Sequence, residues 1–172
     1  MLAAQSVPRS FEMTPKIGDL AVYPAQGVAE FTAIESKEVM GRKMMFYVLK
    51  VLDSNKKIMI PVEKLDSVSL RPVISLKEVA EVYATLRARD FSLSDETWVR
   101  RYRSYDEKMK TGSIHEISEV LRDLNLRKHE KELSFGERRM LDTARRLIIQ
   151  EISIAKNVSK EEIEEEIDHI FD

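Results

Sequence analysis

The chain has 172 residues, 43% hydrophobic and 34% charged, with a net charge of −2 and no cysteine. That length suits one domain or two small ones, and the missing thiols exclude disulfides, thiolate catalysis and cysteine-held metals. No run approaches eighteen apolar residues, and MLAAQSVPRSFEMTP lacks a basic n-region and a long apolar core, so neither a membrane helix nor a signal peptide is expected, and the expected compartment is cytoplasmic.

The charge is unevenly spread. Residues 1–158 carry 27 basic and 23 acidic groups, whereas residues 159–172 carry 1 and 7. A mildly basic body with an acidic tail is compatible with a local nucleic-acid patch despite the negative total.

Residues 1–15 show no periodic pattern and read as a loose N-terminus. From Ile17 to about Leu70 the pattern is β. LAVYP, from Leu20, is a short apolar strand. Ala25, Gln26 and Gly27 turn the chain, with Gly27 free to take φ > 0. VAEFTAIES, MMFYVLKVL and KIMIPV read as further strands, separated by a turn at Gly41 and a polar hairpin loop at Asp53, Ser54 and Asn55. SVSLRP is a short fifth candidate. Pro61 cannot donate to a ladder, which suggests an edge or a strand end. With Ile58 and Ile60 facing the core, alternation turns Met59 outward. There it reads equally as a scattered surface residue or as a partner contact on an open edge.

From Ser75 the pattern is helical. Ser75/Glu78, Ser113/Glu116, Ser134/Glu137 and Ser159/Glu162 all fit the capping box S-x-x-E, each before an amphipathic run. Leu76, Val79, Ala80, Tyr83 and Leu86 are expected to be buried by the first helix. The second helix contains Trp98 and stops at Thr111-Gly112. The third turns Ile114, Ile117, Leu121 and Leu124 inward. The fourth, long helix uses Met140, Leu141, Ala144, Leu147, Ile148, Ile152 and Ala155. The last, short and acidic, carries Ile163, Ile167, Ile170 and Phe171.

The fold class is therefore α+β and multidomain: an N-terminal Tudor/SH3-like antiparallel β domain over residues 16–72, then a C-terminal all-α helical bundle over residues 73–172. His115, His129 and His169 show no metal-ligand spacing. No glycine-rich phosphate loop or nucleophile elbow occurs. No catalytic residue, metal or cofactor is expected, and the reading is of a non-enzyme.

The stretch ETWVRRYRSYDEKMK holds the single tryptophan, Trp98, with Arg100, Arg101 and Arg103 close behind and Tyr102 and Tyr105 among them. Aromatic and basic residues mixed this way grip phosphates and press apolar surface against bases. Steps of four, three and four put Trp98, Tyr102, Tyr105 and Met109 on one helix face, which favours inward packing. Trp98 nevertheless lies in the first turn, shortly after the candidate caps Ser94 and Asp95, so an exposed position stays open.

The segments KIGDLAVYPAQGV, KIMIPVEK, TWVRRYR, EISEVLRDL and LSFGERRMLDTARRLI occur in an order that resembles the CarD family of bacterial transcription regulators, including its CdnL-type members. The match runs from about Lys16 to Phe171; the β part alone is also similar to the polymerase-interacting module of transcription-repair coupling factors. The resemblance implies a Tudor-like domain that docks on the RNA polymerase β subunit. It also implies a helical domain that sets a tryptophan in the minor groove of promoter DNA at the upstream edge of the bubble, stabilising the open complex. On this chain the tryptophan is Trp98, exposed at its helix start. The implied DNA-backbone positions are Arg100, Arg101, Arg103 and Arg138, and the polymerase contacts are Lys37, Met59 and Pro61. Some relatives carry arginine at the position of Met59, so the contact here is apolar. A monomer that contacts promoter DNA largely without sequence preference, and no membrane, is the implied picture. The other reading is a protein–protein adaptor with a purely structural helical half.

Overall fold

The computed structural model describes residues 14–90, 93 and 95–172. The loose N-terminus read from the sequence lies outside the described residues apart from Thr14 and Pro15, as does the candidate cap Ser94. The chain divides into two compact units, the first ending at Val73 and the second beginning at Ile74.

The first unit is an antiparallel sheet of β1 (Leu20–Tyr23), β2 (Gly27–Val39), β3 (Arg42–Val51) and β4 (Lys57–Pro61), paired in that order. Apolar alternation on one face builds its core. Phe31 and Tyr47 meet edge to face at 5.7 Å, over Ala21, Ala29, Leu49, Val51, Ile60, Leu65 and Leu70. A bulge at Thr32 shifts the register between Phe31 and Ala33, and the Thr32 hydroxyl donates to the Val48 carbonyl at 3.2 Å. The expected fifth strand is reduced to one bridge, Val22 to Arg71. The reason is that Val62–Ser67 coils into a 3-10 helix, so only the end of the segment reaches β1. That bridge partly covers the β1 edge, and β4 forms the other edge of the sheet.

The β2–β3 hairpin turns on two residues, Met40 at φ 52° and Gly41 at φ 77°. Positive φ at both central positions is the turn whose twist suits a hairpin, and it favours Asn-Gly. Met40 is 99% exposed, so its side chain gains nothing from packing while its backbone is strained. Met40→Asn is expected to raise the stability of this unit by about 0.5–1 kcal/mol, since left-handed backbone costs an ordinary residue about 1–2 kcal/mol. Thermal unfolding of the two chains side by side checks it.

The second unit comprises α1 (Leu76–Arg87), α2 (Trp98–Lys110), α3 (Ile114–Glu130), α4 (Phe135–Lys156) and α5 (Lys160–Phe171). Both halves of the capping box form at Ser75/Glu78 and Ser134/Glu137. Ser159 accepts from the Glu162 N–H at 3.2 Å. Ser113 makes no side-chain cap bond and instead donates its N–H to the Thr111 hydroxyl at 3.1 Å.

The buried stripe of α1 is Val79, Val82, Tyr83 and Leu86. Leu76, expected inside, is 65% exposed, and Ala80 is also exposed. Leu76 is the first residue of the helix, one turn before the buried stripe begins, and Ala80 lies off that stripe on the side opposite Val82. The stripes of α3 and α4 are buried as read, apart from the partly buried Ala155. Ile163 and Ile167 dock α5 fully buried, each contributing about 1.5–3 kcal/mol of burial. Around them the Tyr83 hydroxyl donates to Glu166, Lys156 bonds Glu166 at 3.1 Å, and Arg145 pairs with Asp168 at 2.7 Å. The hydrogen bond from Tyr83, with help from Lys156, holds the Glu166 carboxyl below its usual range. The acidic tail is thus fastened to the bundle by its carboxylates as well as its isoleucines.

Candidate nucleic-acid interface

Trp98 is the first residue of α2, and the helix is capped by Thr97, whose side chain makes no cap bond. Asp95, expected as a cap, lies two residues before it. The indole is partly buried. It rests on the first turn of α4, where a methyl group on Gly136 would stand only 3.2 Å from Trp98 Cζ2. Tyr102 meets the ring edge to face at 5.1 Å. The Arg101 guanidinium stands 5.8 Å from the ring centroid, within cation–π reach. Trp98 is therefore neither deep in the bundle nor fully exposed. It is held on three sides and open on the rest.

The division of α2 follows from that seat. Tyr105 and Met109 are buried and fix the helix to its bundle. Tyr102, expected beside them, is 42% exposed, because one turn from Trp98 it lines the indole rather than the core.

The four expected DNA-backbone arginines separate into two kinds. Arg100 and Arg103 are exposed, and so is Arg138 on α4, whose Nη1 lies 3.9 Å from Glu132. Arg101 differs. Its side chain is only 16% exposed; Nη2 donates to Glu137 Oε1 at 3.0 Å and Nη1 donates to the Glu96 carbonyl. The Arg101 guanidinium is thus engaged within the protein, on Glu137 and the Glu96 carbonyl, whereas Arg100, Arg103 and Arg138 stand at the surface.

Glu137 completes the arrangement. Its Oε2 accepts from the Ser134 N–H at 2.9 Å, closing the capping box of α4, while Oε1 holds Arg101. Burial pushes the Glu137 carboxyl up, but the Ser134 N–H and Arg101 outweigh it and keep the group below its usual value. One carboxylate thus ties the start of α4 to the arginine beside Trp98. Gly136 was not singled out from the sequence, and Glu137 only as the capping-box partner of Ser134. The available signal was a glycine at the second helical position, where a helix gains nothing from glycine unless another group approaches closely.

On the β unit, Lys37 is exposed on β2 opposite Met44. Met59 pairs with Val48 on the face opposite Ile58 and Ile60. It is only partly buried, as is Pro61, which ends β4 at the sheet edge. Among the described residues no group of three His, Asp or Glu side chains is placed to hold a metal ion, and no helix is long and apolar enough to cross a membrane.

Comparison with known proteins matches residues 16–74 to the CarD-like/TRCF RID domain and residues 81–168 to the CarD C-terminal domain. The candidate transcription factor YdeB of Bacillus subtilis (strain 168) is 37% identical over 153 residues, 86% of this chain and 96% of its own length. Two solved domains from Myxococcus xanthus are also similar. CdnLNt is 50% identical, covers 37% of this chain and 90% of its own, and has a TM-score of 0.33. The 72-residue N-terminal domain of CarD is 31% identical over 41% of this chain and 93% of its own, with a TM-score of 0.31.

Proposed function

The chain belongs to the CarD family of transcription factors, and from that footing we propose that it is a non-catalytic initiation factor acting as a cytoplasmic monomer. The β unit docks on the RNA polymerase β subunit. The helical unit presents Trp98 to promoter DNA at the upstream edge of the bubble and so stabilises the open complex.

The observation that carries this reading is the seating of Trp98. A tryptophan used only as an anchor would turn its ring into the bundle core, as Tyr105 and Met109 do on the same helix. This one is braced by Gly136, Tyr102 and Arg101 and left partly open at a helix start. A braced wedge loses little freedom when it enters an unstacked step, and an apolar wedge there does not have to read sequence. Arg100, Arg103 and Arg138 flank it as phosphate partners, each adding roughly −0.9 to the salt slope if engaged. Three such contacts bind DNA weakly. Docking on polymerase supplies the missing affinity by raising the local concentration of the helical unit at the promoter. For docking, β4 offers an open edge for strand addition, with Met59 and Pro61 as its apolar contacts and Lys37 on the neighbouring hairpin.

One experiment with two arms tests the reading. Trp98→Ala should copurify with polymerase normally but shorten open-complex lifetime about tenfold, the loss of a contact of about 1.4 kcal/mol. Met59→Asp should lose polymerase while the helical unit stays folded. An unchanged lifetime for Trp98→Ala sinks the promoter role, and undiminished binding by Met59→Asp moves the docking surface elsewhere.

A further inference from the structure

Phe135, the first residue of α4, is 68% exposed. A lone surface phenylalanine would need no explanation, but this one has company. Among the described residues of the helical unit, the large hydrophobics that stand exposed are Leu76, Val99, Tyr102 and Phe135. Three of them lie on the two helix starts that meet at Trp98: Val99 is next to it in sequence, Tyr102 lies against its ring, and Phe135 precedes the glycine on which it rests.

The patch has charge to match. Arg139, one turn on from Phe135, stands over the phenyl ring with its guanidinium carbon 5.7 Å from the centroid. Arg100, Arg103 and Arg138 are exposed on the same two helices. The nearby acids offset this only in part. Glu137 is committed to Arg101, and Glu132 approaches Arg138 at 3.9 Å. Flat apolar rings bordered by guanidinium groups match unpaired bases with their phosphates, because every base offers a face to stack on and a charge beside it.

We propose that Phe135 is a second base-contacting group, stacking on an unpaired base of the promoter strand next to the step that Trp98 enters. Arg139 backs the ring and reaches the adjoining phosphate. The inference rests on the promoter reading above and adds to it a single-strand contact. Trp98 holds the duplex edge of the fork, and Phe135 holds the first base beyond it.

The test uses the full chain on polymerase–promoter open complexes carrying 2-aminopurine in the upstream end of the bubble, with Phe135→Ala, Phe135→Tyr, Phe135→Leu and Trp98→Ala compared. Emission from the single tryptophan and far-ultraviolet circular dichroism confirm that each Phe135 variant is folded. Phe135→Ala and Phe135→Leu should shorten open-complex lifetime about fivefold or more and relieve 2-aminopurine quenching, while Phe135→Tyr stays within about twofold of the parent. Full lifetime for Phe135→Ala, with Trp98→Ala impaired, overturns the proposal and leaves the promoter reading standing. Full rescue by leucine overturns stacking in favour of plain apolar cover. Loss of polymerase copurification in Phe135→Ala makes the patch a protein contact and overturns it too. If Trp98→Ala is also without effect, the promoter reading fails and the proposal falls with it.

Discussion

Glu137→Ala is expected to destabilise the helical unit by about 3–5 kcal/mol, the usual cost of removing one member of a buried ion pair. The Arg101 side chain is mostly buried, and its Nε already lacks a partner there. Without Glu137 its charge has only the Glu96 carbonyl and the face of Trp98 to meet. The Ser134 N–H also loses its acceptor, and a lost cap alone costs about 1 kcal/mol. Replacing both partners, Arg101→Met with Glu137→Gln, should recover most of the loss, because glutamine keeps the cap and methionine fills the space without charge. Denaturant unfolding of the three chains measures this. The pH dependence has a definite sign. The folded carboxyl titrates below its ordinary 4.5, so the stabilisation is complete above pH 4.5 and is lost as pH falls through the folded value. In Glu137→Ala that part of the acid sensitivity should vanish.

Glu137 also shows what the sequence could and could not reveal. Its capping box with Ser134 was legible, because both partners lie within four residues and the geometry of a helix start relates them. Its grip on Arg101 was not, because that contact joins residues 36 apart across two helices. The same holds for the β unit. Turn residues and alternation announced the strands, whereas the collapse of the fifth strand depended on a 3-10 helix that six residues of ordinary composition do not advertise. Leu76 and Ala80 were misplaced for a related reason. A stripe of apolar residues gives a helix face to within one position, and only the neighbouring helices decide which side of that stripe is covered. For Trp98, periodicity argued burial and family resemblance argued exposure. The indole sits between the two, because it caps the margin of the bundle, a location that one helix's pattern does not encode. The arginines around it looked alike in sequence, and burial alone separates Arg101 from Arg100 and Arg103.

Gly136 provides the means to move Trp98 without touching it. At this position valine is expected to displace the indole from its seat, because even the first carbon of the new side chain stands 3.2 Å from Trp98 Cζ2. Overpacking of a rigid core costs about 1–3 kcal/mol. Here the displaced group is a side chain at a helix start with open space beside it, so the cost should fall at the low end. Replacing a helical glycine by alanine returns about 0.5–1 kcal/mol, and β-branched valine returns less, so part of that cost is offset. Stability and site geometry therefore come apart. Gly136→Val should unfold within a few degrees of the parent, yet its emission should shift to the red as the indole loses its cover, a clean signal because the chain has one tryptophan. Open-complex lifetime should fall towards that of Trp98→Ala, while polymerase copurification stays normal. Gly136→Ala, whose single methyl needs only a few tenths of an ångström from the ring, should lie between valine and the parent. If emission shifts in Gly136→Val and lifetime does not change, then it is the presence of an aromatic group, and not its seat on α4, that matters to the promoter complex.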